Sequence, residues 1–247
     1  MYKYLAQILI LCFFTGYISV SAAENEKLII AIDPGHTKKY FGAVSARGMP
    51  EYGFNIAIAN VLLSKIKESN QTDGFIINPD GGNITLKERT EIAKKRKADL
   101  YISLHHDSVQ QKYISYWQYE GKKNHYSDNF EGYSIFISNK NEEKGKSLNF
   151  AKLLGKQFRS FGFIPTLHHA EKIKGENRKL LDKNLGIYSF DDLVVLKTAQ
   201  MPAVLIECGV IVNRRDELLV NSAEYRNKFT GSILRAIVEY KLEIENN

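Results

Sequence analysis

Four residues of types that hold metals or move protons stand at the ends of apolar runs: His36, Glu51, His105 and Glu207. His36 closes Ile32-Asp33-Pro34-Gly35-His36, directly after the apolar run Leu28 to Ile32. Proline cannot continue a central ladder and glycine permits a sharp turn, so this histidine is fixed at the carboxyl end of a buried strand. His105 occupies the matching place after Leu100-Tyr101-Ile102-Ser103-Leu104. Two such histidines face one edge of a parallel sheet, the edge where open α/β sheets place their ligands. Glu51, within Pro50-Glu51-Tyr52-Gly53-Phe54-Asn55, opens the first long helix. Negative charge suits a helix N-terminus in any case, yet a helix entered from a strand end begins at that same edge. Two histidines, one carboxylate and an open position form a donor set for catalytic zinc. Glu207 ends the run Ala203-Val204-Leu205-Ile206. Burying a carboxylate without compensation is costly, and a general base beside an activated water would give it a reason.

The remaining candidates are weaker. His106 rivals His105, because neighbours on a strand point to opposite faces and spacing alone does not choose between them. His125, His168 and His169 lie in irregular stretches and are expected at the surface, with one able to reach the site from a lid. Cys208 reads as a small buried core residue rather than a nucleophile, which would need a histidine base beside it.

The elements that must position these groups are legible in the pattern. Buried strands are expected at Leu28–Asp33, Phe75–Asn78, Leu100–Leu104, Tyr133–Ser138 and Ala203–Glu207. Between them, helical periodicity runs over Phe54–Ile66, from the capping box Thr85-Leu86-Lys87-Glu88 to Lys97, over Leu148–Phe161 and over Tyr225–Leu242. Strands alternating with helices predict a single α/β domain: a twisted, mostly parallel sheet of six or so strands with helices on both faces. Two segments break the rhythm. Val109–Glu131 is rich in Tyr, Lys and Asn, and Pro165–Asp182 is polar. Long irregular segments in a compact domain are often lids or binding loops, or else solvated excursions. No internal repeat, low-complexity tract or linker to a second module is present.

Composition sets the compartment and excludes some partners. At 247 residues, 44% hydrophobic and 25% charged, the chain can bury a real core. Residues 1–23 read as a secretory signal peptide: Lys3, the apolar run Leu5 to Val20, then small residues at Ser21-Ala22-Ala23. Cleavage removes Cys12 and leaves Cys208 alone, so no intramolecular disulfide can form. Residues 24–247 then form the working domain, with no stable membrane span. The net charge of +6 favours anionic polymers such as cell wall or membrane surface. No nucleic-acid motif is present.

Taken in order, these blocks resemble the zinc-dependent N-acetylmuramoyl-L-alanine amidases of bacteria over nearly the whole mature chain. Ile32-Asp33-Pro34-Gly35-His36 is similar to the family's first zinc motif. Arg47-Gly48, Glu51 and Asn55 are similar to the second. Arg89-Thr90-Glu91-Ile92-Ala93 followed by Ala98-Asp99-Leu100-Tyr101-Ile102-Ser103-Leu104-His105 is similar to the third, and that resemblance selects His105 over His106. Met201-Pro202-Ala203 to Gly209, with Asn213, is similar to the segment bearing the catalytic glutamate. The resemblance implies zinc held by His36, Glu51 and His105. It implies Glu207 as general base and peptidoglycan as substrate, cut between N-acetylmuramic acid and L-alanine. His106 and Val210 depart from the family pattern, and Pro165–Asp182 is longer than a minimal member needs, consistent with a lid, a regulatory insertion or a site for a protein activator. Export to the periplasm, or to the cell wall or medium, and a monomeric state are expected. Two other readings use the same residues: a wall-binding or regulatory protein without turnover, and a zinc carboxypeptidase acting on stem peptides.

Overall fold

Alternation along the central strands sets the architecture. In the computed structural model, which describes residues 26–246, the chain runs β1 (Leu28–Pro34), α1 (Glu51–Glu68), β2 (Thr72–Ile76), α2 (Leu86–Lys95), β3 (Leu100–Asp107), β4 (Ser115–Tyr119), β5 (Lys122–Tyr126), β6 (Ser134–Ile137), α3 (Lys144–Ser160), β7 (Lys179–Asp182), β8 (Ile187–Ser189), α4 (Val194–Thr198), β9 (Ala203–Val210), α5 (Arg214–Val220) and α6 (Ala223–Glu245). The leader expected over residues 1–23 lies outside the described residues. No helix among the described residues is long and apolar enough to cross a membrane.

Seven strands form one sheet in the order β2-β1-β3-β9-β6-β8-β7. The pairs β1–β2, β1–β3, β3–β9 and β6–β8 are parallel, while β6–β9 and β7–β8 are antiparallel. The sheet is the expected mostly parallel one. The strands β7 and β8 were not anticipated, because each is short and Lys179–Asp182 carries charge at both ends. The edge strand β2 begins earlier than expected, at Thr72-Asp73-Gly74, and the exposed Asp73 suits an edge.

Each face of the sheet buries its own core. Ile30, Ile32, Ile102, Leu104, Val204, Ile206 and Cys208 pack with α1, α3 and α6 through Ile58, Leu62, Phe150, Leu154, Phe229 and Ile233. Ala31, Tyr101, Phe136, Tyr188, Ala203 and Leu205 pack with Ala93 of α2 and with Val195 and Leu196 of α4. The period of two places every second residue of β3 on this second face. Tyr101, Ser103 and His105 therefore lie on one side and Leu104 and His106 on the other.

The segment expected to be irregular over Val109–Glu131 holds a hairpin, with Trp117 opposite Asn124 in the β4–β5 ladder. It docks on the loop before α1. Trp117 Nε1 donates to the carbonyl of Ala46 at 2.8 Å, and His125 Nε2 lies 2.9 Å from the carbonyl of Val44. Arg47, which also reaches the buried Glu217 at 2.5 Å, lies over the Trp117 and Tyr119 rings. The hairpin thus braces the stretch that joins His36 to Glu51.

Candidate active site at the carboxyl edge

The strand order makes the site possible. From β1 the chain steps out to β2 and then returns past β1 to β3, so direction reverses between β1 and β3. Ligand crevices of open α/β sheets form at such a point, outside the carboxyl ends of the strands. His36 follows β1, His105 lies near the end of the neighbouring β3, and the parallel pairing sets Glu207 opposite His105. Glu51 is the first residue of α1.

The donor atoms of His36, Glu51 and His105 all lie within 4.8 Å of one another. Glu51 Oε2 is 2.9 Å from His36 Nε2, and Glu51 Oε1 is 3.0 Å from His105 Nδ1. The same carboxylate accepts from the backbone N–H of Ala43 at 2.9 Å, from Asn55 Nδ2 at 3.0 Å and from the backbone N–H of His106 at 3.2 Å. Burial would push the Glu51 carboxyl up. Its hydrogen bonds and charge interactions with His105 and His36 outweigh that and hold it well below the usual carboxylate range. Glu51 is buried, but His36 and His105 keep 32% and 18% of their side chains exposed, so the cluster is open on one side.

Two glycines let the backbone approach this cluster. A Cβ at Gly35 would sit 2.1 Å from His105 Nε2. A Cβ at Gly42 would sit 2.3 Å from Glu51 Oε2 and 2.5 Å from the His36 ring, and Gly42 has φ +78° as well. His36 itself has φ 71°, a region costly for most residues though histidine is enriched there. Its carbonyl is held by Arg89 Nη2 at 2.5 Å. Arg89 Nη1 meanwhile reaches Asp33 Oδ1 at 2.5 Å and the carbonyl of Pro34 at 3.0 Å. Tyr101 and Ser103 donate to the other oxygen of Asp33, at 2.6 and 3.0 Å. The Asp33–Arg89 pair, fully buried, clamps the turn that presents His36. It was not anticipated as part of the site, although the cost of a carboxylate in an apolar strand, the signal that singled out Glu207, applies equally to Asp33.

Side-chain alternation separates His105 from His106. His105 joins Glu51, whereas His106 turns to the opposite face, where Phe54 packs on its ring at 5.4 Å and Asn55 Oδ1 lies 2.8 Å from its Nδ1. Burial, the largest cause, pushes the His106 imidazole down to about 3.

Glu207 stands on the central strand β9. Its Oε2 is shut off from solvent and has no hydrogen-bond partner. Burial, followed by the charges of Asp107 and Glu51, raises its carboxyl well above the usual range. Cys208, on the opposite face, is fully enclosed, and burial together with the charge of Glu207 pushes its thiol well up, so it is no nucleophile at neutral pH.

Two adjoining clefts of about 300 and 290 Å³ meet at His36, His105, Leu193 and Leu205. The first adds Phe136, His169, Glu176, Arg178, Phe190 and Glu207; the second adds Asp33, Thr37, Tyr40, Ile84, Leu86 and Arg89. The segment Pro165–Asp182 therefore supplies part of one wall. The surface placement expected for His168 and His169 is overturned: both are buried, at 3% and 8% exposure. Asp107 faces them from the end of β3, a long-range contact that no local periodicity reveals.

Residues 30–239 match the family model described as N-acetylmuramoyl-L-alanine amidase. The N-acetylmuramoyl-L-alanine amidase AmiA of Escherichia coli (strain K12) is 27% identical over 240 residues, covering 87% of this chain and 76% of that protein. The solved N-acetylmuramyl-L-alanine amidase Ami1 from Mycobacterium smegmatis superposes with a TM-score of 0.69 at 20% identity, over 90% of this chain and 100% of that one. The CwlD amidase from Clostridioides difficile, solved in complex with the GerS lipoprotein, gives a TM-score of 0.65 at 20% identity, over 88% of this chain and 100% of that one. Both structures share this fold.

Proposed function

The chain belongs to the N-acetylmuramoyl-L-alanine amidase family, and we propose that it works as a zinc hydrolase on the amide between the lactyl group of N-acetylmuramic acid and L-alanine. One observation carries the zinc assignment. The three donors His36, Glu51 and His105 converge within 4.8 Å, open to a cleft that is also lined by Glu207, whose Oε2 has no hydrogen-bond partner. Two imidazoles, a carboxylate and an accessible side suit a catalytic zinc ion, and two glycine cradles keep that space free of a Cβ. Zinc bound there would supply Lewis-acid polarisation of a carbonyl and lower the pKa of a water to about 7.

The protein's own groups account for the proton movements. Glu51 orients both histidines, and its backbone and Asn55 donors fix it in turn. Glu207 accepts the proton of the attacking water as the new C–O bond forms. It returns that proton to the departing L-alanine amine as the C–N bond breaks, so one carboxyl serves as base and then acid. A raised pKa suits the second half of that cycle, since it favours holding the proton until the amine leaves. The clefts on either side of His36 and His105 give the glycan and the peptide separate directions of approach.

Peptidoglycan places the protein outside the cytoplasm, and the signal-like residues 1–23 support export to the periplasm or wall. The segment 165–182, as a cleft wall, is the proposed place for control of access. The structure of the CwlD amidase with the GerS lipoprotein supports looking for a protein partner here as well. Digestion of purified peptidoglycan, followed by mass spectrometry, tests the reaction. Free stem peptides with peptide-free glycan are expected. Loss of a terminal amino acid alone would instead identify a carboxypeptidase, and no release at all a binding protein.

A further inference from the structure

A second cluster lies beyond the one just described. Asp107, two residues past His105 on β3, directs Oδ2 at His168 Nε2, 3.2 Å away, and at His169 Nε2, 2.8 Å away. The two histidines form a 3-10 turn, His168–Ala170, in the segment that walls the cleft. All three facing atoms are buried, and none has an aligned hydrogen-bond partner. Enclosed polar atoms so poorly aligned are costly, and protons on the imidazoles or an ion among the three atoms would lessen that cost.

The far side of each ring narrows what that is. His169 Nδ1 lies 2.9 Å from Glu176 Oε2, and an ionised carboxylate only accepts, so Nδ1 carries a proton. Burial lowers the His169 imidazole, but the charges and hydrogen bonds of Asp107 and Glu176 outweigh it and raise it to about 10, so with no ion Nε2 also carries a proton, which a bound cation would displace. His168 Nδ1 lies 2.8 Å from Thr166 Oγ1, a hydroxyl that can donate or accept, and His168 Nε2 faces the same Asp107 oxygen. A carboxylate behind a ligating imidazole is the usual outer support of a metal-bound histidine. The donor atoms of all three residues lie within 4.8 Å of one another; a tetrahedral ion with bonds of roughly 2.0–2.2 Å holds its donors roughly 3.3–3.6 Å apart, so the ion would spread the 2.8 and 3.2 Å contacts slightly.

We infer that Asp107, His168 and His169 form a second metal site, for zinc or a similar borderline divalent cation. Two imidazoles and a carboxylate suit that class, where an all-oxygen set would suit calcium or magnesium. The ion would tie the cleft wall that carries Glu176 and Arg178 to the strand that carries His105. The inference goes beyond the proposed reaction and does not rest on it.

Elemental analysis of the purified full chain after zinc loading and removal of excess metal tests it. Two equivalents are expected for the unaltered protein, and one each for D107N, H168Q and H36A. Hydrogen exchange over 165–182 should slow on zinc addition in the unaltered protein and in H36A, but not in D107N. Should D107N and H168Q fail to fold, the double variant H36A/E51Q leaves the second cluster whole and should still bind one equivalent. One equivalent that H36A loses and D107N keeps, or none in H36A/E51Q, would overturn the second site. One equivalent that D107N loses and H36A keeps would overturn the zinc assignment of the first cluster and leave the second standing.

Discussion

Asn55 Oδ1 lies 2.8 Å from His106 Nδ1, while the Asn55 amide donates to Glu51 Oε1 at 3.0 Å and to the carbonyl of Gly35 at 3.1 Å. Both amide protons are committed, so the oxygen faces the histidine and receives its Nδ1 proton. One buried side chain thereby joins the turn after β1, the start of α1 and the end of β3. Asn55→Ala should lower metal affinity about 10–100-fold through the loosened Glu51, and stability by ~2–3 kcal/mol through the partners left behind. Zinc competition and denaturant unfolding measure the two. Unchanged zinc affinity would show that Glu51 needs no such support.

Ligands and base should fail differently. His36→Ala and His105→Ala should lose the zinc of the first cluster together with activity. Glu207→Gln should keep that zinc and lose about 10²–10⁴-fold in turnover, the range of a general acid–base group. A Glu207→Gln protein that is fully active, or that lacks this zinc, would remove the assignment of Glu207 as base.

Gly35→Ala places a methyl 2.1 Å from the His105 ring. The ring must swing away, so zinc binding at the first cluster should fall sharply, with a stability loss of ~1–3 kcal/mol from overpacking. Gly53→Ala is the control, because nothing lies within 4 Å of a Cβ there. Equal zinc binding in the two variants would count against close approach as the reason for glycine at 35.

The buried pair Asp33–Arg89 should be strongly coupled. Asp33→Ala or Arg89→Ala alone should cost ~3–5 kcal/mol, since each leaves an uncompensated buried charge. The double variant should cost clearly less than the sum of the two. Additive losses in urea unfolding would mean that the clamp on the His36 turn is no unit.

Acid stability should report His106. Its folded pKa is depressed to about 3, mainly by burial, against about 6.5 in an unfolded chain. The unfolded state therefore binds the proton first. Stability from the neutral ring is complete above pH ~6.5 and is lost as pH falls through 3, on the order of 5 kcal/mol in all. In chelator, His106→Gln should show a shallower decline over this window. Parallel pH profiles for the two proteins would place the acid sensitivity elsewhere.

Much of the carboxyl edge was readable because its logic is local. An apolar run followed by Pro34-Gly35 announces a strand end, and a capping box announces α2, where Thr85 and Glu88 exchange the expected bonds. Glu207 was readable from the cost of burying a carboxylate. The second cluster was not, because His168 and His169 sit among polar neighbours, and Asp107, which faces them, comes from a strand some sixty residues earlier in the chain. The hairpin β4–β5 was missed for a similar reason. Its strands are polar and half-exposed, and they are held by Trp117 and His125 on a distant loop rather than by an apolar stripe of their own.

The pairing of His105 with Glu207 has a consequence for the order in which the protein comes into being. His36, Glu51 and His105 all belong to the first half of the chain, whereas β9 arrives late and then takes the central place in the sheet, between β3 and β6. A chain emerging N-terminus first carries His36, Glu51 and His105 long before Glu207. It also lacks the strand that joins the two halves of the sheet. Glu207 therefore joins His36, Glu51 and His105 only once β9 is in place, and a truncated product ending before residue 203 would carry those three residues without it.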